Sequence, residues 1–150
     1  MFDTSKIGYS FPPFPVHVER TKLHELALAI GDRNPVYQDQ QAAQAEGYVD
    51  VPLPPTAATI FLFWENRHFV EQLAELGLDV TRLIHREESY EYLASIHPGE
   101  TLTGVMTVLD GSTRRGRDGS SIDLVTLRIC YTNREGQDVL KATTKLITRE

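Results

Sequence analysis

The groups best suited to chemistry stand together in one short stretch, Gly31-Asp32-Arg33-Asn34-Pro35-Val36-Tyr37-Gln38-Asp39. Asp32 offers a carboxylate, which can exchange a proton near neutral pH when partly buried. Asn34 offers an amide. Tyr37 offers a phenol, which ionises near about 10 and so makes a poor base at neutral pH, although it can hold a water or donate a hydrogen bond. The same residue types also have an ordinary use. Asp and Asn are short, polar and suited to bonding nearby backbone amides in a turn, and Pro35 would close that turn. A capped loop between two helices is therefore the competing reading.

Other reactive side chains are scattered. Of the five histidines, His17 falls in a strand-like run, His24 beside the apolar face of a helix, His68 after an apolar helix and His97 against a turn. His85 lies in an alternating segment and reads as a hydrogen-bonded strand histidine that fixes local packing. The single cysteine, Cys130, sits in the alternating run Ile129-Cys130-Tyr131 and is expected to be a packed strand residue. No His/Cys/Asp/Glu set has zinc-ligand spacing, and no Gly-rich phosphate loop follows a strand. Neither a metal nor a nucleotide cofactor is expected.

The elements that must position these groups change character near residue 82. Before it, Phe11-Pro12-Pro13-Phe14-Pro15 is an irregular lead-in, because three prolines lack amide donors and restrict their neighbours. Residues 16–19 alternate as a short strand. Thr21 is a plausible N-cap for a helix with Leu23, Leu26, Ala27 and Ile30 on one face, ending at Gly31. Asp39 caps a second short helix, which Gly47 stops. Pro55 suits the first position of a third helix, whose residues (Ala57, Ile60, Phe61, Leu62, Phe63, Trp64) are apolar nearly all round and so predict burial on most sides. Residues 71–76 form a further amphipathic piece.

Beyond residue 82 the period falls to two, predicting strands over 83–93, 101–109, 122–132 and 139–148. Short turns join them: Pro98-Gly99-Glu100, Arg114-Arg115-Gly116-Arg117-Asp118-Gly119 and Asn133-Arg134-Glu135-Gly136. Long strands with short turns pair antiparallel. The expected fold is α+β, a hotdog fold in which an antiparallel curved sheet wraps a central buried helix.

The 150 residues fit a single domain, 1–150, with 41% hydrophobic and 24% charged residues, a globular balance. A formal net charge of −6 speaks against nonspecific nucleic-acid binding. The N-terminal residues show no signal-peptide pattern, and the apolar run 57–64 is far short of the roughly 20 residues that span a bilayer. With one cysteine and hence no intrachain disulfide, a cytoplasmic location with no membrane association is expected.

Three separated motifs carry a family resemblance. The stretch from Gly31 to Tyr37, continuing through Ala42-Ala43 to Gly47-Tyr48, resembles the hydratase motif Gly-Asp-x-Asn-Pro-[aliphatic]-His of MaoC-like enzymes, with Tyr37 in the histidine's place. Pro54-Pro55-Thr56 resembles the Ala-Pro-Pro-Thr before that family's central helix. The strand around His85, followed by His97-Pro98-Gly99-Glu100, is similar to the strand and Pro-Gly-Asp turn of these proteins. Tyrosine and the His-x-Glu strand point to the branch called FAS1-like dehydratases, or N-terminal MaoC domains.

The resemblance implies reversible hydration of a trans-2-enoyl thioester to a (3R)-hydroxyacyl thioester, with coenzyme A or acyl carrier protein as the substrate's carrier. It implies Asp32, Asn34 and Tyr37 as the catalytic set, Asp32 as the carboxylate and Asn34 orienting it or the water. Gly31, Pro55, Thr56, Ala57 and His85 would bind substrate. An amide just after Pro55, which has no N–H of its own, would steady the thioester oxygen. Arg114, Arg115 and Arg117 form either a solvated turn or a contact with carrier phosphates. Tyr90 and Tyr92 are expected in sheet packing or a dimer contact. Because a hotdog domain leaves a sheet edge and a helix face to cover, a homodimer, or a heterodimer with another hotdog domain, is expected. The alternatives to a self-sufficient hydratase are a noncatalytic thioester-binding subunit paired with a His-bearing partner, and a thioesterase or acyl-ligand binder on the same fold.

Overall fold

The computed structural model describes residues 1–117 and 119–149; Asp118, in the expected arginine-rich turn, lies outside the described residues. Five strands form one antiparallel sheet in the order β1-β3-β4-β5-β2. These are β1 (Phe14–His17), β2 (Leu83–Tyr92), β3 (Thr101–Arg115), β4 (Ser121–Thr132) and β5 (Asp138–Arg149). Four α-helices precede β2: α1 (Arg20–Ala29), α2 (Gln40–Ala45), α3 (Ala58–Glu65) and α4 (Phe69–Glu75). This is the hotdog arrangement that the change of period predicts, and β4 and β5 supply its clearest alternation. Val125, Leu127, Ile129 and Tyr131 on β4, with Leu140, Ala142 and Leu146 on β5, form the buried face on which α3 lies.

Of the sheet's three register shifts among the described residues, in β3, in β2 and between β4 and β5 at Tyr131/Thr132, the first two shape the site. In β3 the register shifts between Val108 and Asp110, so Leu109 is the extra residue. Inward positions then change from even numbers to odd, and the strand runs on to Arg115 rather than stopping at 109. Gly111 is needed there because a Cβ would come within 2.1 Å of the buried Phe2 ring. In β2 the register shifts between His85 and Glu87 across Arg86. That shift is why His85 and Glu88, three positions apart, turn toward the same face opposite Leu146 and Thr144.

The helices differ from expectation at their ends. The α1 N-cap is Glu19, with no side-chain cap bond, rather than Thr21. Helix α3 begins at Ala58, because Pro55-Thr56-Ala57 forms a preceding turn closed by the Ala57 amide on the Pro54 carbonyl at 2.9 Å. Only one flank of α3 is covered. Ala58, Phe61 and Leu62 are buried, while Phe63 and Trp64 remain 59% and 44% exposed. Helix α1 is tied to α3 by Lys22 Nζ, which donates to Glu65 at 2.8 Å and stands 5.5 Å from the Trp64 ring.

Candidate functional site

The loop after α1 is built by its glycine. Gly31 has φ +73°, the left-handed value that ends a helix. Its amide donates to Leu28 at 3.1 Å and the Asp32 amide to Ala27 at 2.9 Å, the paired bonds of a Schellman stop. Asp32 Oδ1 then accepts the Asn34 amide at 2.9 Å, and Asn34 Oδ1 accepts the Val36 amide at 3.2 Å. Gln38 Nε2 donates to the Asp32 carbonyl at 3.0 Å. Both side chains thus fasten the loop, as the structural reading of these residues requires. Asp39 caps α2 through the Ala42 amide at 2.9 Å, as expected.

Asp32, Asn34 and Tyr37 do share one neighbourhood. Tyr37 is half-buried; burial, then the charge of Asp32 and Tyr48, raise its pKa above the ordinary phenol value. Less of it is therefore ionised at neutral pH than of a free tyrosine. Tyr37 and Asn34 line an open cleft with Tyr48 and Glu46, and Tyr48 also lines the adjoining cleft with Pro55, Tyr92 and His97. Tyr48 is thus the link between the loop and the start of the central helix.

A second, more enclosed space lies between α3 and the sheet. The cavity itself holds about 60 Å³ and widens to about 460 Å³ when the solvent-filled space out to its mouth is included. The walls are mainly apolar: Leu62, Phe69, Ile129, Ala142 and Leu146 among them. Polar groups gather along β2 and the start of α3. Glu88 accepts from Thr144 Oγ1 at 2.5 Å and faces His85 Nε2 at 2.9 Å. Thr59 and Tyr90 share a hydroxyl–hydroxyl bond, and the Tyr92 hydroxyl donates to the Pro55 carbonyl at 2.7 Å. Tyr90 thus braces the first turn of α3 and Tyr92 the turn before it, which is packing of a more specific kind than the sheet packing expected. His85 matches its structural reading, a hydrogen-bonded strand histidine, and it also stands at the cavity wall.

Three phenols near this cavity are held protonated. Burial raises Tyr131 strongly, with the charges of Glu88, Tyr90 and Tyr92 adding to it. Burial and Tyr90 push Tyr92 up to about 12, and burial also raises Tyr90. None of them is ionised to act as a base at neutral pH; Tyr92 donates to Pro55 and Tyr90 shares a bond with Thr59. At the start of α3 the Ala57 and Thr59 amides are already used, on Pro54 and Thr56 at 2.9 and 3.1 Å. Among the described residues the Ala58 amide makes no hydrogen bond, and Ala58, unlike Ala57, lines the cavity. Of the residues expected to bind substrate, only His85 borders this space; Pro55 lines the neighbouring cleft. Sequence reading missed Ala58, Glu88, Tyr131 and Thr144. The alternation of β4 and β5 marks Tyr131 and Thr144 as inward-facing, but a bulge hides Glu88.

Among the described residues no group of three or more His, Cys, Asp or Glu could hold a metal ion, and no helix is long and apolar enough to cross a membrane. Arg114, Arg115 and Arg117 are exposed at the β3–β4 hairpin.

Comparison with known proteins fits this geometry. Residues 5–142 match the family described as "FAS1-like, dehydratase domain region". A relative from Saccharopolyspora erythraea, named only as a UPF0336 protein, is 37% identical over 148 residues, covering 98% of this chain and 91% of its own. Among solved structures, the C-terminally truncated HadBC (3R-hydroxyacyl-ACP dehydratase) complex from Mycobacterium tuberculosis contains a chain with TM-score 0.77 and 24% identity, covering 95% of this chain and 96% of that one. A MaoC-like dehydratase also has TM-score 0.77, at 26% identity, covering 96% of this chain and 42% of the other. This chain belongs to the MaoC-like hotdog dehydratases, in the FAS1-like dehydratase region family.

Proposed function

We propose that this chain is the acyl-chain-binding member of a two-part hotdog hydratase/dehydratase that interconverts trans-2-enoyl and (3R)-hydroxyacyl thioesters. The observation carrying this reading is the separation of its two polar regions. The apolar cavity beneath α3 suits an acyl chain, and the free Ala58 amide beside it suits a thioester oxygen. The loop that would supply acid–base chemistry has Tyr37 where an imidazole is wanted, and its Asp32 and Asn34 are bonded to their own backbone. General acid–base groups contribute about 10²–10⁴-fold in rate, so the deficit favours a partner that brings the histidine. The uncovered flank of α3 and the outer edge of β2, with Phe63, Trp64, Ile84 and Tyr92 exposed, give such a hotdog partner a surface to cover. A likeness to one chain of the HadBC complex agrees with pairing. Coenzyme A or acyl carrier protein would present the thioester, and no further cofactor is needed for this chemistry.

One observation favours the self-sufficient enzyme. Asp32 is only half-buried, and among the described residues its Oδ2 makes no hydrogen bond, so a carboxylate oxygen remains for substrate or water. Hydration of crotonyl-CoA and trans-2-octenoyl-CoA, followed by loss of enoyl absorbance, separates the readings. The chain alone should be inactive, and a mixture with a hotdog domain carrying Gly-Asp-x-Asn-Pro-x-His should be faster than that domain by itself. Activity of the chain alone that Asp32→Asn abolishes would establish the second reading instead.

A further inference from the structure

Tyr131 is fully buried, at 0% exposure, and borders the cavity beneath α3. Its ring packs edge-on against Phe14 and Phe61, with centroids 6.2 and 5.8 Å away. Phenylalanine would make those contacts equally well. The hydroxyl therefore stands out, because it has no hydrogen-bond partner among the described residues. A buried hydroxyl left unmatched costs the free energy of a lost hydrogen bond, so such groups call for an explanation.

The neighbouring polar groups do not supply the partner; their bonds run to one another and to the backbone, those of Glu88 through Oε2. Thr59 is joined to Tyr90, Tyr92 to the Pro55 carbonyl, and Glu88 to His85 and Thr144. Ala142, small and opposite Tyr90, leaves space on the sheet between β4 and β2. We infer that the Tyr131 hydroxyl donates to an oxygen atom carried along the bound chain, so that the cavity selects acyl groups bearing an in-chain carbonyl over plain alkyl ones. This rests on the acyl-binding reading above and adds the class of chain to it. The phenol is held protonated by burial, so the ligand must supply an acceptor. A charged carboxylate is a poor candidate, because it would lose its hydration among apolar walls and meet Glu88. A ketone satisfies the donor at much smaller desolvation cost.

The test is the dissociation constant of the 150-residue chain for octanoyl-CoA and for its oxo isomers with the ketone at carbon four, five, six or seven. Titration calorimetry is run on the wild type, Tyr131→Phe and Ala142→Phe. One isomer should bind about tenfold tighter than octanoyl-CoA, the worth of one well-placed hydrogen bond. In Tyr131→Phe that isomer should fall to the octanoyl level while octanoyl-CoA is unchanged. Octanoyl-CoA that binds wild type but not Ala142→Phe, with no isomer preferred or with the preference surviving Tyr131→Phe, overturns the inference and leaves the acyl-binding reading standing. Octanoyl-CoA that fails to bind, or binds Ala142→Phe as well as wild type, overturns both. Tyr131→Phe should melt at or above the wild-type temperature, because it removes an unmatched group; a lower midpoint would mean that the hydroxyl has an internal partner, and would overturn the inference too.

Discussion

The loop from Gly31 to Tyr37 and the cavity beneath α3 both gather polar side chains, but they use them differently. In the loop each short side chain bonds a backbone amide two positions on, Asp32 to Asn34 and Asn34 to Val36. Such bonds are local and would form in many folds. Along the cavity the bonds cross between elements: Glu88 of β2 with Thr144 of β5, Tyr90 of β2 with Thr59 of α3. These exist only when the whole sheet and helix are assembled. A recognisable motif is therefore no guide to where the tertiary structure concentrates its polar contacts. Here the motif holds a loop, and the less conspicuous residues line the enclosed space.

Substitutions can break or sharpen that contrast. The largest effect is expected from Ala142→Phe, which fills the cavity while leaving the loop untouched; affinity for octanoyl-CoA should drop at least about thirtyfold by calorimetry, alongside an overpacking cost of about 1–3 kcal/mol. Next, Glu88→Ala strips Thr144 and His85 of their common acceptor. A loss of about 2 kcal/mol in unfolding free energy, measured by urea denaturation, is expected, since hydrogen bonds to a charged group are the stronger kind. In the loop, Asp32→Ala should cost only about 1 kcal/mol, and Asp32→Asn, which keeps an acceptor for the Asn34 amide, less than about 0.5 kcal/mol. A larger cost for Asp32→Asn than for Glu88→Ala would reverse the comparison.

The strut between the two regions has a pH signature. Burial of Glu65 alone would raise its pKa, but the hydrogen bond and charge of Lys22, helped by His17, outweigh it and leave the folded value below 4.5. A carboxyl depressed by folding stabilises above its unfolded pKa, and that contribution fades as pH falls through the folded value. Glu65→Gln should accordingly lower the melting midpoint near pH 7 by an amount equal to about 1 kcal/mol or less, and the gap from wild type should close below about pH 4. Lys22, raised by its Glu65 bond, keeps its share below pH 10.5 and loses it as pH climbs through the higher folded value. The smallest effect belongs to Tyr37→Phe. On the two-part reading, removing this phenol should change the hydration rate of the mixture with the His-bearing domain by less than about twofold; a hundredfold loss would return Tyr37 to the centre of the chemistry.

Much of the fold was legible because its signals are local or periodic. Gly31 and Asp39 mark helix ends by backbone geometry and capping, and Val125 to Tyr131 alternate without a break. What escaped reading depends on distant residues. The continuation of β3 past Leu109 is masked by a bulge and by a glycine whose reason is Phe2, far away in the chain. The exposure of Phe63 and Trp64 could not come from an apolar helix pattern, which records only that burial is wanted and not what provides it. For the candidate site, the family resemblance singled out Asp32, Asn34 and His85, but an unmatched hydroxyl at Tyr131 is a fact about its surroundings and leaves no mark on the sequence.

The bulge at Arg86 has a further consequence, for solubility. Strand β2 ends the sheet with one row of backbone groups unpaired, the kind of edge on which chains stack into fibres. An inserted residue interrupts the even spacing that open-ended stacking requires, and Arg86, Glu87 and Glu91 add charge along the same strand. The edge is thereby a poor template for indiscriminate β-pairing, so the irregularity that brings His85 beside Glu88 also works against aggregation.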